Sequence, residues 1–309
     1  MTRNSFHSRV HRGQNVVGRL LVASMVGAGL VVPLAGVSSG AAKKASGTVN
    51  VLYAGSLLDL MAQHLSPAFH KATGYTVSGY SAGSSALASE ITGRTIVGDV
   101  FISASPTVNA ALEGASNGNW VSSYRKFGIS PLVLGYYAKS KFARDLQTKS
   151  WFNVVDLPGF LLGRTDPATD PKGVLAVDAL EGTSLTHNIP ALNAVATSAS
   201  SVFPETALVG DLQAGQLDAG FFYGVEAAAA HLKTVPLTGT DLFAQYTVAI
   251  LNRAPHHAAA IAFVQFLLSS AGRLTLKKYG VTPVVPPVVT KASSTTSTTI
   301  TSSVTTATS

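Results

Sequence analysis

The chain has 309 residues, no cysteine and a formal net charge of +7 at pH 7. The lack of cysteine excludes disulfides, thiolate chemistry, cysteine metal sites and lipid attachment through a cysteine. Six of the 22 basic residues fall in the first 44 positions, where no acidic residue occurs, so the rest of the chain is nearly neutral, with 16 basic and 15 acidic residues. The net charge therefore indicates a basic leader and not a nucleic-acid-binding surface.

Residues 1–45 have the pattern of a secretory signal peptide. A basic start precedes an apolar run at 20–37, and small residues follow at 38–42. The run approaches the length of a membrane anchor, but its glycines and Pro33 disfavour a permanent helix. We expect a cleaved leader and an exported protein, at the cell surface or in a periplasm-like space. A retained anchor is the alternative.

Strand-like and helix-like segments alternate through the middle of the chain, which predicts an α/β fold. In chain order, the predicted strands are 49–52, 75–79, 99–102, 132–137, 160–163 and 219–223. The predicted helices are 57–73, 85–92, 108–112, 151–157, 173–180, 206–214 and 258–268. Residues 291–309 are rich in Ser and Thr and almost lack large apolar groups. We expect this tail to be disordered, and such tails on exported proteins are often O-glycosylated.

The turn between the first strand and the first helix is a candidate anion site. Its sequence is Tyr53-Ala54-Gly55-Ser56-Leu57. Gly55 permits a sharp turn, and Ser56 stands where a helix N-cap is expected. Free N–H groups at a helix start attract anions. A plain helix cap explains the same residues, so the turn alone leaves both interpretations open.

Six segments in order carry a family resemblance. They are Ala54-Gly55-Ser56-Leu57, Ala82-Gly83-Ser84-Ser85, Asp99-Val100-Phe101-Ile102-Ser103-Ala104, Asp166-Pro167-Ala168-Thr169-Asp170-Pro171-Lys172-Gly173, residues 212–223 and residues 263–279. Their order and spacing resemble the exported molybdate- and tungstate-binding proteins of ABC transporters, over most of residues 49–284. The resemblance implies a two-lobed periplasmic-binding-protein-like fold of type II. Lobe 1 would comprise 46–127 and 246–290, and lobe 2 would comprise 128–245, with crossovers near 126–130 and 242–246.

The resemblance also implies a set of ligand-binding residues. Two serines of the first lobe hold oxyanion oxygens in this family, and Ser56 and Ser84 match them. In the group typical of archaea, an Asp and a Glu bind the metal of the oxyanion and make it six-coordinate. Asp170 and Glu205 match these two residues. Tyr223 matches a tyrosine that donates its hydroxyl to the anion in the bacterial molybdate branch.

Ordinary structural roles remain open for each of these residues. Ser84 suits a helix N-cap, and so does Asp170, because a proline follows it. Glu205 suits a first helical turn, where an acid favours the helix dipole. Tyr223 suits a core position at a strand end. Lys172 replaces a small residue of the family pattern and either attracts an anion or is solvated.

We therefore predict a monomeric binding protein for molybdate or tungstate that delivers its ligand to an ABC permease, without a cofactor and without nucleic acid. Binding of sulfate or another small anion is an alternative, since one fold serves many sites. A surface protein attached through its Ser/Thr tail is another. A hydrolase is disfavoured, because Ala82-Gly83-Ser84-Ser85-Ala86 lacks the Gly-x-Ser-x-Gly pattern of a nucleophile elbow.

Overall fold

The computed structural model describes residues 46–284 and 289–290. The predicted leader at 1–45 and the predicted disordered tail at 291–309 lie outside the described residues. Within them the predicted α/β alternation is confirmed.

The strands are β1 Thr48–Ala54, β2 Thr76–Ala82, β3 Val100–Ser103, β4 Val121–Tyr136, β5 Leu162–Gly163, β6 Ala219–Tyr223, β7 Lys233–Pro236, β8 Phe243–Leu251, β9 Thr282–Pro283 and β10 Val289–Thr290. The α-helices are α1 Ser66–Thr73, α2 Ser84–Thr92, α3 Pro106–Ala110, α4 Ala143–Thr148, α5 Trp151–Val155, α6 Pro171–His187, α7 Ala191–Thr197, α8 Glu205–Gln213, α9 Gly224–Ala229, α10 His257–Leu268 and α11 Ser270–Lys278.

The first predicted helix, 57–73, is divided in the structure. A 3₁₀ turn at Gly55–Leu57 is followed by a π-helical segment at Leu60–Leu65, and only then by α1. Pro67 lies in the first turn of α1 and has no N–H to donate to the carbonyl four residues earlier, so the regular α-helical pattern cannot run through this point.

Strand β4 joins two groups of strands. The strand order is β2-β1-β3-β8-β4-β6-β5, with β7, β9 and β10 also paired to β4. β4 runs antiparallel to β8 as far as Pro131, opposite Phe243, and antiparallel to β6 from Leu132 onward. Pro131 thus lies where the pairing changes partner, a position that tolerates the missing N–H donor. The proline and the polar residues before it explain why only the end of β4, 132–137, was predicted.

Parallel pairing sets the position of the loops that carry the candidate site. β1 lies between β2 and β3 and is parallel to both, and β5 is parallel to β6. The carboxyl ends of β1, β2 and β6 lead directly into helical segments at Gly55, Ser84 and Gly224. Loops at the carboxyl ends of strands are the usual location of ligand sites in α/β sheets.

The largest buried apolar cluster contains residues from both groups of strands. Phe69 meets Phe263 edge to face at 5.2 Å between ring centroids, and Trp151 meets Phe221 in the same way at 6.1 Å. Within the described residues, no single helix is long and apolar enough to cross a membrane. Helices α10 and α11, with a 62° bend between them, reach that length and apolar composition only together.

Candidate functional site

Ser56 lies inside the helical turn after β1 and does not cap it. The N-cap position belongs to Ala54, which makes no side-chain capping bond, so the predicted capping role of Ser56 is wrong. The side chain of Ser56 is buried, and its Oγ lies 3.0 Å from the hydroxyl of Tyr246 on β8. The turn therefore directs this hydroxyl toward β8, which lies beyond β3 in the sheet, and away from its own helix.

Ser84 is the first residue of α2, and the cap position is taken by Gly83. The capping interpretation is therefore wrong for this serine as well. Ser84 is fully buried, and its Oγ accepts the N–H of Ala104 at 3.0 Å. A hydroxyl that accepts in this way keeps its own hydrogen for donation. None of the described residues accepts that hydrogen.

Asp170 caps α6, as predicted. Its Oδ1 accepts the N–H of Lys172 at 3.0 Å, and Pro171 occupies the first turn. Its other oxygen, Oδ2, is buried and has no hydrogen-bond partner among the described residues. The cap thus uses one carboxylate oxygen and leaves the second available.

Glu205 begins α8 directly after Pro204, also as predicted. Its Oε1 lies 3.6 Å from the Nζ of Lys172, and its Oε2 is buried without a partner in the described part of the chain. A Cβ placed on Gly55 would lie 2.2 Å from this Oε2. A larger residue at position 55 would therefore displace this carboxylate, and the glycine lets the turn after β1 lie close to it.

The region around Asp170 is in similarly close contact with the start of α2. The N–H of Ala86 donates to the carbonyl of Thr169 at 3.0 Å. A Cβ on Gly83 would lie 2.3 Å from that carbonyl oxygen and 3.2 Å from the Cβ of Asp170. Ser84 and Asp170 are thus brought to the same place by backbone contact.

Tyr223 ends β6, as predicted, and is fully buried, while its hydroxyl has no partner among the described residues. Its ring meets that of Tyr246 edge to face at 6.1 Å. Burial, followed by the charge of Asp170, raises the pKa of Tyr223 well above its ordinary value. Burial also raises the pKa of Tyr246, against the opposing hydrogen bond from Ser56. Both phenols are therefore neutral hydrogen-bond donors near pH 7.

Three unpartnered oxygens belong to residues that the sequence predicted as ligands. Seven buried side-chain polar atoms lack a hydrogen-bond partner among the described residues, and Asp170 Oδ2, Glu205 Oε2 and Tyr223 OH are three of them. Buried polar groups in native proteins are almost always paired. The charges of Asp170 and Glu205 both act on Tyr223, so the three groups lie in one neighbourhood and are available to a ligand there.

Lys172 is completely buried, so of its two interpretations the solvated one is wrong. Its Nζ donates to both carboxylate oxygens of Glu226, at 2.9 and 2.8 Å. Burial lowers the pKa of Lys172, but the attraction of Glu226, Glu205 and Asp170 is larger and raises it overall. The lysine is therefore charged. It is buried because the start of α6 faces the start of α9, where Glu226 lies.

Acidic groups outnumber basic groups in this neighbourhood. Three buried carboxyl groups, those of Asp170, Glu205 and Glu226, act on the ammonium of Lys172. Burial and the charge of Asp170 raise the pKa of Glu205 to about 8, although Lys172 opposes this shift. An anion held by hydrogen bonds alone would be repelled here, whereas an atom that accepts carboxylate oxygens as ligands would be attracted.

Sequence reasoning did not assign roles to Glu226 and Tyr246. Glu226 lies in the first turn of α9, which was not predicted, although an acid before an alanine run is a signal for a helix start. Tyr246 lies on β8, whose apolar sequence resembles a strand. A cavity of about 240 Å³ borders the site and is lined in part by Gly55, Ser56, Glu205 and Glu226.

Residues 49–282 match the family described as bacterial extracellular solute-binding protein. The chain belongs to this family. The solute-binding protein is 27% identical over 264 residues to an uncharacterised solute-binding protein of Halobacterium salinarum, covering 76% of this chain and 84% of that one. It is 22% identical over 222 residues to a molybdate/tungstate-binding protein of Pyrococcus abyssi, covering 55% of this chain and 64% of that one.

Solved structures confirm the periplasmic-binding-protein-like fold. The periplasmic molybdate-binding protein of Azotobacter vinelandii superposes with a TM-score of 0.58 at 21% identity, covering 77% of this chain and 99% of that one. The sulfate-binding protein of Mycobacterium tuberculosis superposes with a TM-score of 0.60 at 16% identity, covering 77% and 88%. At these identities the likeness establishes the fold of the solute-binding protein. The solute must be argued from the chemistry of the site, because one fold serves many different sites.

Proposed function

We propose that the protein is an exported binding protein for a tetrahedral oxyanion, molybdate or tungstate, which it delivers to an ABC permease. The observation that carries the proposal is the group of unpartnered buried oxygens on Asp170, Glu205 and Tyr223. They lie across from Ser56 and Ser84, whose hydroxyls are buried at the starts of two helical segments.

In this proposal the protein is a monomer with two lobes. Lobe 1, residues 46–127 and 246–290, contributes the two serines, and lobe 2, residues 128–245, contributes Asp170, Glu205 and Tyr223. The side chains of these residues are nearly inaccessible to solvent, so the lobes must separate before an anion enters. Closure then excludes water and strengthens the bonds to the ligand. No chemical step and no cofactor are required.

The carboxylates give the site a basis for choosing among oxyanions. In their ionised forms, Asp170 and Glu205 repel a dianion unless they bond to its central atom, and Glu205, whose pKa is about 8, gives up its proton when it bonds. Molybdenum and tungsten are hard centres that accept additional oxygen ligands, which is consistent with the preference of hard metals for carboxylates. The sulfur of sulfate does not expand its coordination in this way. Two carboxylates therefore favour molybdate and tungstate and disfavour sulfate and phosphate.

The relatives are consistent with this assignment. A molybdate/tungstate-binding protein and a molybdate-binding protein are among the proteins that this chain resembles. The fold is shared with a sulfate-binding protein, so the proposal depends on the two carboxylates and not on the fold.

Calorimetry on the purified protein, without its leader, tests the proposal. We expect tungstate and molybdate to bind tightly and sulfate and phosphate to bind at least about 100-fold more weakly, a difference of about 2.7 kcal/mol. Equal affinity for sulfate and tungstate, or no binding of any oxyanion, would contradict it. X-ray absorption at the tungsten edge provides a second measurement: six oxygen neighbours support carboxylate coordination, and four exclude it.

A further inference from the structure

Lys172 has no direct part in the proposed capture of the anion, yet it lies where three helix starts meet. Asp170 begins α6 two residues before it, Glu205 begins α8, and Glu226 lies in the first turn of α9. Nζ contacts both oxygens of Glu226 at 2.9 and 2.8 Å and lies 3.6 Å from Oε1 of Glu205. Its side chain is 0% exposed.

The two oxygens of Glu205 have different surroundings. Oε1 faces the ammonium of Lys172, while Oε2 has no partner among the described residues and lies beside Gly55. A carboxylate without such a contact could rotate about its last bond, because terminal torsions of this kind have broad energy wells. The ammonium therefore fixes the rotation of the carboxylate plane, so that one oxygen faces Lys172 and the other faces the turn after β1.

Glu226 in turn fixes the ammonium. A lysine side chain is a flexible stem of four carbons, and it loses much conformational freedom when its ammonium is held in one place. The two short bonds to Glu226 hold Nζ at a single point between α8 and α9. The pair also compensates the charge of Glu226, which would otherwise be a buried carboxylate without a counter-ion.

We propose that Lys172 is a positioning residue that determines specificity: its ammonium, anchored by Glu226, orients Glu205 so that Oε2 is presented to the metal centre of the bound oxyanion. The inference rests on the proposed function and deepens it. It makes the preference for tungstate over sulfate depend on a residue that does not touch the ligand.

A purely structural role makes a different prediction. If the Lys172–Glu226 pair only holds α6 against α9, replacing both members with neutral residues of similar shape should preserve folding and binding together. If Lys172 orients Glu205, the same double replacement should preserve folding and impair coordination. The double variant Lys172→Met with Glu226→Gln therefore separates the two roles, whereas Lys172→Met alone would leave Glu226 buried without a partner.

The experiment compares this double variant with the unaltered protein in thermal unfolding, in calorimetry with tungstate and sulfate, and in tungsten-edge X-ray absorption. We expect unfolding close to that of the unaltered protein, a loss of about 10–100-fold in tungstate affinity, as is typical when a partner of a metal ligand is removed, and fewer than six oxygens around tungsten. Sulfate affinity should not fall. Should the double variant fail to fold, Lys172→Gln with Glu226→Gln, which retains polar groups, is used in its place.

Exposed Lys149, just after α4, and half-buried Asp145 on α4 lie 3.1 Å apart and supply a control pair away from the site. Lys149→Met with Asp145→Asn should leave tungstate affinity unchanged. Tungstate affinity within about twofold of the unaltered protein, with the same oxygen count, would overturn the role of Lys172 while leaving the proposed function intact. If the unaltered protein itself does not bind tungstate, the proposed function fails first.

Discussion

The two sides of the candidate site differ in charge. The side formed after β1 and β2 presents the neutral hydroxyls of Ser56 and Ser84, with Tyr246 bonded to the first of them. The opposite side presents the ionisable groups of Asp170 and Glu205, together with Lys172. Both sides are buried, yet only the second carries formal charge.

This difference suggests that the two sides have separate roles: the neutral side binds an anion, and the charged side distinguishes one anion from another. Neutral hydroxyl and backbone donors bind the outer oxygens of any tetrahedral anion, and these oxygens are alike in sulfate, molybdate and tungstate. Carboxylates respond to the central atom, because they can bond to a metal and only repel a non-metal. Changes on the two sides should therefore produce different patterns of affinity across the three anions.

The largest effect is expected from the charged side. Asp170→Asn and Glu205→Gln should each weaken tungstate binding by about 100-fold, at the upper end of losses measured for partners of metal ligands. Sulfate affinity should stay the same or rise, because repulsion is removed. Asn also retains the capping role at the start of α6, so folding is preserved. Calorimetry with both anions provides the measurement.

Glu181→Gln serves as the control for this prediction, since it removes an exposed carboxylate from the same helix, α6. Its affinities should match those of the unaltered protein. A parallel loss of tungstate and sulfate binding in Asp170→Asn would show that the charged side does not discriminate.

A smaller and less selective effect is expected from the neutral side. Ser56→Ala and Ser84→Ala should each cost about 1.5–2 kcal/mol of binding free energy, or roughly 10–30-fold in affinity, the lower part of the range for a hydrogen bond to a charged group. Tungstate and molybdate should lose affinity by the same factor. Ser89→Ala, at an exposed position of α2, is the control. Unchanged affinity in both site variants would exclude the serines as ligands.

The smallest effect concerns stability without ligand. Folding raises the pKa of Glu205 from 4.5 to about 8, chiefly through burial, so the folded protein holds a proton that the unfolded chain releases between these values. Unfolding therefore releases a proton in this window, and stability falls as pH rises from about 5 to 8. Glu226 acts in the same direction, since burial raises its pKa as well.

Thermal unfolding followed across this pH range tests the sign. The unfolding midpoint of the ligand-free protein should decrease with pH, and Glu205→Gln should flatten the curve. Ser56→Ala should keep the full slope, because a serine does not titrate. A midpoint that rises from pH 5 to 8 would show that the carboxylates are not held in the arrangement described.

Local signals made part of the site predictable. Asp170 before a proline and Glu205 after one both indicate helix starts, and helices do start there. The turn at Gly55 and the strand ending at Tyr223 were also evident from short segments. In each case, neighbouring residues determine the backbone, so a few positions of sequence suffice.

Long-range pairing was not predictable in the same way. Lys172 and Glu226 are 54 residues apart in the chain, and Ser56 and Tyr246 are 190 residues apart. Nothing near Lys172 in the sequence indicates burial, since lysine is almost never buried without a partner and the partner lies on another helix. Strand β8, which carries Tyr246, was missed altogether. Which side chains pair depends on how the helices and strands pack against one another, and a short stretch of sequence does not determine that packing.

The close approach at Gly55 has a consequence for how a loaded protein could be recognised. A Cβ at position 55 would displace the carboxylate of Glu205 from its present position, so the glycine preserves a short spacing between the two sides of the site. A cargo too large for that spacing would hold the sides apart and alter the outer surface. Under the proposed function, the size of the bound anion would then determine the distance between the two sides that a permease meets.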